Sequence, residues 1–189
     1  MGLANWLTVL RILLIPVFVS LLVYRHRGLA LVVFLIAALT DLLDGYVARQ
    51  RGSQSRLGAF LDPMADKLLL VSSFVTLTWL RVLPFWITAV VISRDLILVV
   101  GALVIHMAGG RITPRPTAVG KLATFFQVLT VLGGLLGPFY NSSAGAQVVM
   151  WLTVTFTVVS GLQYILQGMG FLNVSAEENR EPDETALFR

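Results

Sequence analysis

Four aspartates stand where carboxylates are costly. The stretch reads Asp41-x2-Asp44-Gly45-x2-Ala48-Arg49, then eight residues, then Gly58-x3-Asp62-x3-Asp66. Of the ten carboxylate side chains, five (Glu177, Glu178, Glu181, Asp183, Glu184) fall in the C-terminal thirteen residues and Asp95 stands alone. The other four are these aspartates. Three- and four-residue steps put Asp41, Asp44 and Ala48 on one face of a helix, and Gly58, Asp62 and Asp66 on one face of the next. Carboxylates gathered this closely repel unless something neutralises them, and a divalent metal is the expected partner. Helix capping is a poor alternative, because a cap uses one carboxylate per helix start. A proton or cation pathway would spread its acids through the depth of a membrane, whereas these cluster at one side. Gly45 and Gly58 lie beside the acids, where a missing side chain lets a bulky flat or phosphorylated group approach the backbone.

The elements that must position these acids are strongly apolar. The chain of 189 residues is 57% hydrophobic and 13% charged, and its mean hydropathy of +0.84 is far above that of a soluble domain. The reading is an all-α integral membrane protein with six transmembrane helices and an active site at the cytoplasmic face. The absence of cysteine excludes disulfides and thiolate metal ligands. The net charge of +4 comes from arginines at segment ends, with no long basic run or aromatic-interleaved stripe, so no nucleic-acid partner is expected.

Spans of roughly 20 residues fit the hydrocarbon thickness. The first runs from the N-terminal segment to Tyr24 and is closed by Arg25-His26-Arg27-Gly28. Its first charge, Arg11, lies inside the apolar run, so a retained helix is expected in place of a signal peptide. The second covers about Leu29 to Val47, followed by a polar basic linker, Arg49 to Arg56. The third enters through Leu57–Asp66 and continues to about Leu80, with Lys67 snorkelling to the surface. Pro84 suits the first turn of a fourth span, Phe85 to Met107. The loop Gly109 to Pro116 leads to a fifth span, Ala118 to Leu136, then a turn, Pro138 to Gln147, and a sixth span, Val148 to Gly168. Residues 1–172 form one membrane domain; residues 173–189 are a polar acidic tail expected to be disordered. With both termini in the cytoplasm, inner loops carry Arg49, Arg51, Arg56, Arg111, Arg115 and Lys121, and outer loops carry Arg25, Arg27 and Arg81. That bias favours this orientation.

The eight fixed residues of the aspartate stretch match the signature of the CDP-alcohol phosphatidyltransferase family. The likeness extends from Asn5-x2-Thr8-x2-Arg11 through Gly120-Lys121-x2-Thr124-x2-Gln127, about two-thirds of the chain. It implies a six-helix membrane enzyme, a homodimer, that moves a phosphatidyl or similar group from a CDP-linked donor to an alcohol and releases CMP. Two cations, Mg²⁺ or Mn²⁺ given hard oxygen ligands, would bind among Asp41, Asp44, Asp62 and Asp66. By resemblance Asp66 is the general base, and Asp41, Gly45, Ala48, Arg49 and Gly58 contact the CDP moiety. A bacterial inner membrane is the expected location.

The acceptor is read from cations. Arg94, Arg115 and Lys121 could gather opposite the metal centre and bind an acceptor phosphate. A local pair between Arg94 and Asp95 is the competing reading, disfavoured because adjacent residues diverge on a helix. Leu61-Asp62-Pro63-x-Ala65-Asp66-Lys67-Leu68 most resembles the phosphatidylglycerophosphate synthases of the family, whose acceptor is glycerol 3-phosphate. Arg94-Asp95 in place of Arg-Glu, the lack of a second arginine nearby, and Pro114-x-Pro116 look more like CMP-forming cardiolipin synthases, which use phosphatidylglycerol. A small transporter or channel would need polar residues at mid-membrane and broken helices, and the fifth and sixth spans offer little of either.

Overall fold

The computed structural model describes residues 3–51, 56–107, 117–136 and 144–178, and the side chains of 8–40, 64–101, 103, 117–136 and 144–168. Six helices and no strand occur among them: α1 (Leu3–Val23), α2 (Arg27–Arg51), α3 (Arg56–Trp79), α4 (Phe85–Met107), α5 (Ala118–Leu136) and α6 (Ala144–Glu178). α5 and residues Ala144–Gly168 of α6 are each long and apolar enough to cross a membrane. Large apolar side chains lie open all along the bundle, including Leu13, Val99 and Leu166. Exposure on that scale suits contact with lipid chains.

Two reversals share one construction. After α1, the His26 amide bonds the Leu21 carbonyl at 2.8 Å while Arg25 takes φ 63°. After α3, the Val82 amide bonds the Leu77 carbonyl at 2.8 Å while Arg81 takes φ 58°. Both are Schellman closures with arginine in the left-handed position that glycine normally fills. Pro84 lies just before α4, not inside its first turn, and its carbonyl accepts from the Ile87 amide. Trp86 of α4 packs on Trp151 of α6 with ring centroids 5.5 Å apart. Tyr24, Trp79 and Phe85 are exposed near these same reversals, a distribution suited to a membrane interface.

α1 packs against α2 and α3, and α6 against α4 and α5, with lesser contacts of α3 and α5 joining the two groups. The core between them holds Phe18, Phe34, Phe74, Leu77, Ile87 and Val131. α5 and α6 are linked by buried polar pairs, Gln127 to Thr157 at 3.3 Å and Thr130 to Thr153 at 2.7 Å. In lipid such pairs hold helices together where hydrophobic burial has little leverage. α4 comes close to α6 because Gly101 has no side chain: a Cβ there would meet the Tyr164 ring at 2.8 Å.

Three boundaries differ from the sequence reading. α2 continues through Arg49 to Arg51, so part of the basic linker is helical. α6 begins at Ala144, inside the segment read as a turn. It also runs on to Glu178, taking in the first residues of the acidic segment. Neither Gly nor Pro interrupts residues 173–181, and Ala176, Glu177 and Glu178 favour helix.

Candidate active site

α2 and α3 carry the aspartate pattern as helices, so the three- and four-residue steps do fall on common faces. Both helices pack on α1. The side chains of Asp41, Asp44, Gly45, Ala48, Arg49, Gly58 and Asp62 lie outside the described residues, as does all of Arg115.

Asp66 is described, and its partner was not foreseen. Arg11 Nη1 of α1 donates to Asp66 Oδ1. The Arg11 side chain is wholly buried, whereas that of Asp66 is 38% exposed. A guanidinium buried among apolar helices is stable only when paired. Arg11 therefore holds one oxygen of the Asp66 carboxylate, whose side chain stays partly exposed. The signal was present, since Arg11 interrupts an apolar run, but its partner lies 55 residues away.

A second charged group lies next to the first. Asp95 Oδ1 of α4 accepts from Lys67 Nζ of α3 at 2.5 Å and from Arg94 Nη1 at 2.8 Å. Arg94 Nη2 continues to Ser160 Oγ of α6 at 2.9 Å. Arg94 and Asp95 are both nearly buried. Arg94 and Asp95 do pair locally, contrary to the expectation from diverging neighbours, because the arginine chain is long enough to curl back onto the next residue. Lys67 is corrected likewise: it turns to Asp95 and does not simply reach for the surface.

The start of α5 comes to the same place. A Cβ on Gly120 would lie 3.5 Å from Arg94 Nη2 and 3.5 Å from Ser160 Oγ. Thr117 caps this helix, its Oγ1 accepting from the Gly120 amide at 3.1 Å. Lys121 follows and is exposed. Of the three expected acceptor cations, Arg94 and the Lys121 segment are brought together. Beside Arg94, a groove of about 300 Å³ opens between α4 and α6, lined by Ser93, Ile97, Thr157, Gly161 and Leu162 among others.

Among the described residues no three His, Cys, Asp or Glu side chains form a metal cluster. The expected ligands are carboxylates on adjacent helices, hard oxygen donors of the kind that suit Mg²⁺ or Mn²⁺. Asp66, the member of the set whose side chain is described, is partly exposed. On donor chemistry the residues fit such an ion.

Comparisons with known proteins agree with this chemistry. A model of the CDP-alcohol phosphatidyltransferase family matches residues 1–159. The chain is similar to a Mycobacterium tuberculosis protein named probable phosphatidylglycerophosphate synthase, at 36% identity over 178 residues, covering 89% of this chain and 82% of that one. It is similar to the CDP-diacylglycerol–glycerol-3-phosphate 3-phosphatidyltransferase of Bacillus subtilis at 33% identity, covering 92% of this chain and 98% of that one. The human cardiolipin synthase (CMP-forming) is 33% identical over 174 residues, covering 82% of this chain and 58% of that one.

Proposed function

The chain belongs to the CDP-alcohol phosphatidyltransferase family, and from that premise we propose that its acceptor is glycerol 3-phosphate. The reaction transfers the phosphatidyl group of CDP-diacylglycerol to the acceptor hydroxyl, giving phosphatidylglycerophosphate and CMP. The hydroxyl oxygen bonds to the phosphatidyl phosphorus, the bond from that phosphorus to the pyrophosphate bridging oxygen breaks, and the hydroxyl proton passes to Asp66. Support for this reading comes from the Arg11–Asp66 pair and from the Lys67–Asp95–Arg94 group, which begins at the next residue of α3 and has Gly120 of α5 against Arg94.

Each residue has a stated task. Mg²⁺ or Mn²⁺, two per site, held by Asp41, Asp44, Asp62 and Asp66, would neutralise the donor pyrophosphate and the charge developing on CMP. Asp41 and Arg49 contact the CDP moiety, and Gly45, Ala48 and Gly58 leave space for it. Arg11 keeps the Asp66 carboxylate turned to the acceptor. Arg94, Arg115 and Lys121 take the acceptor phosphate, which orients the hydroxyl toward the phosphorus. Six spans with cytoplasmic termini put this site on the face where soluble glycerol 3-phosphate and CMP can exchange. Residues 1–172 form the catalytic unit, placed in a bacterial inner membrane as a homodimer, with 173–189 a polar tail.

The α4–α6 groove favours a second reading. Phosphatidylglycerol brings its own chains and would enter laterally, and an apolar groove beside Arg94 suits one of them. The two are separated by incubating the purified protein with CDP-diacylglycerol, Mg²⁺ and a panel of acceptors while following CMP release. Release with glycerol 3-phosphate supports the first reading. Release with phosphatidylglycerol alone replaces it with cardiolipin synthesis, and release with neither overturns both.

A further inference from the structure

We propose that Asp95 is a positioning residue for the acceptor: it holds Lys67 of α3 and Arg94 of α4 on one carboxylate oxygen and so fixes two cations at the spacing that takes up a phosphate beside Asp66. The inference rests on the reading of Asp66 and Arg94 given above, and it adds Lys67 to the acceptor side.

Lys67 Nζ and Arg94 Nη1 lie 2.5 Å and 2.8 Å from the same atom, Asp95 Oδ1. Two cations sharing one oxygen are close neighbours, and without that oxygen they repel each other. Lys67 directly follows Asp66 in the chain, so the shared oxygen ties the segment of the base to the segment of the acceptor cation. Arg94 is fixed from its other side by Ser160, and the Gly120 backbone closes against its guanidinium. Lys67 is the more accessible of the two cations, its side chain 39% exposed against 8% for Arg94. It is therefore placed to turn toward an incoming anion while Asp95 keeps its Nζ near Arg94. Lys67, Asp95 and Arg94 together carry one positive charge. That balance suits a phosphate ester better than a neutral polyol.

Asp95 has one further sign of this role. Its second oxygen, Oδ2, is buried and has no hydrogen-bond partner among the described residues. A side chain placed only for stability would be expected to satisfy both oxygens. Here both cations are drawn to one oxygen, which favours their mutual placement over full pairing of the carboxylate.

The test uses the full chain, purified in detergent and lipid, with saturating CDP-diacylglycerol and titrated glycerol 3-phosphate. Variants are Asp95→Asn, Asp95→Glu, Lys67→Met and the Asp95→Asn/Lys67→Met double. Positioning predicts that Asp95→Asn raises the acceptor KM about tenfold with donor KM near wild type, and the unfolding temperature falls because Arg94 loses its buried carboxylate. Asp95→Glu, which keeps the charge, stays within about threefold. In the Lys67→Met background, Asp95→Asn has a smaller effect than in wild type, because only Arg94 is then left for Asp95 to hold.

A lowered acceptor KM in Asp95→Asn would show that Asp95 merely offsets positive charge, and would overturn the proposal. Equal effects of Asp95→Asn in both backgrounds would overturn it too. Should Asp95→Asn fail to fold, Lys67→Met decides, since that half-exposed side chain can be removed without burying a lone charge: an unchanged acceptor KM sinks the idea. If wild type uses phosphatidylglycerol alone, the glycerol 3-phosphate reading fails. The same variant series with phosphatidylglycerol then judges Asp95 separately.

Discussion

Replacing Arg11 by Met tests the charged core of the site most directly. The change keeps an unbranched side chain in a wholly buried position but removes the donor to Asp66 Oδ1. Breaking a fully buried ion pair costs about 3–5 kcal/mol. Asp66 is 38% exposed, so solvent recovers part of that for the carboxylate. The expected loss is nearer that of one charge-assisted hydrogen bond, about 1.5–3 kcal/mol. If Arg11 acts by aiming the base, this loss falls on the step in which Asp66 takes the proton, and kcat drops about ten- to a hundredfold. The acceptor KM should change little, because no acceptor contact is removed. Arg11→Lys keeps the charge without the planar fork and should fall between wild type and Arg11→Met. The assay is CMP release at saturating donor, with thermal unfolding of each variant as the control for folding. A folded Arg11→Met enzyme with wild-type kcat would refute the reasoning, as would a loss confined to acceptor KM.

Asp66→Asn should abolish turnover while CDP-diacylglycerol still binds; wild-type rates, or complete loss of donor binding, would argue against a base. Chelation should stop CMP release and Mg²⁺ or Mn²⁺ should restore it, whereas full activity in excess chelator would exclude a metal requirement. Arg94→Ala or Lys121→Ala should weaken glycerol 3-phosphate about ten- to a hundredfold with donor affinity nearly unchanged, and the wild-type rate should fall with rising ionic strength. A normal glycerol 3-phosphate dependence in both variants would point to phosphatidylglycerol instead. Arg81→Gly, at φ 58°, should raise stability by about 1 kcal/mol because glycine occupies that conformation without steric cost; a lowered unfolding temperature would mean that the Arg81 side chain contributes more than its backbone strain costs.

Punctuation made some elements legible and polarity concealed others. The spans read as Phe85–Met107 and Ala118–Leu136 coincide with α4 and α5, where prolines and loop residues interrupt the apolar pattern. The ends of α2 and α6 were not visible, because their last turns are polar and composition alone does not distinguish a solvated helix from a loop. In the site, the aspartate spacing was legible because helical periodicity puts those residues on common faces. Arg11 announced itself as a buried cation but not its partner, since nothing local specifies a contact across 55 residues. Arg94 and Asp95 were misjudged for a different reason. Backbone directions diverge between adjacent residues, yet four rotatable bonds let an arginine return to its neighbour, and burial beside Ser160 rewards that conformer.

The depth of these charges explains why they must be paired. Arg11 lies eight residues from the start of α1 and Asp66 ten from the start of α3, about 12 Å and 15 Å along the helix axes at 1.5 Å per residue. Asp95 lies twelve residues from the opposite end of α4, about 18 Å. Helices that alternate in direction bring these three distances to one level, and the Lys67–Asp95 contact requires it. On the six-span reading proposed above, that level lies within a hydrocarbon layer about 30 Å thick. Unpaired side chains there would snorkel away or lose their charge. Pairing Arg11 with Asp66, and Arg94 with Asp95 and Ser160, holds them at that level. An apolar exchange at any one of these residues would therefore do more than remove a charge: it would free its partner to leave the level at which we propose that transfer takes place.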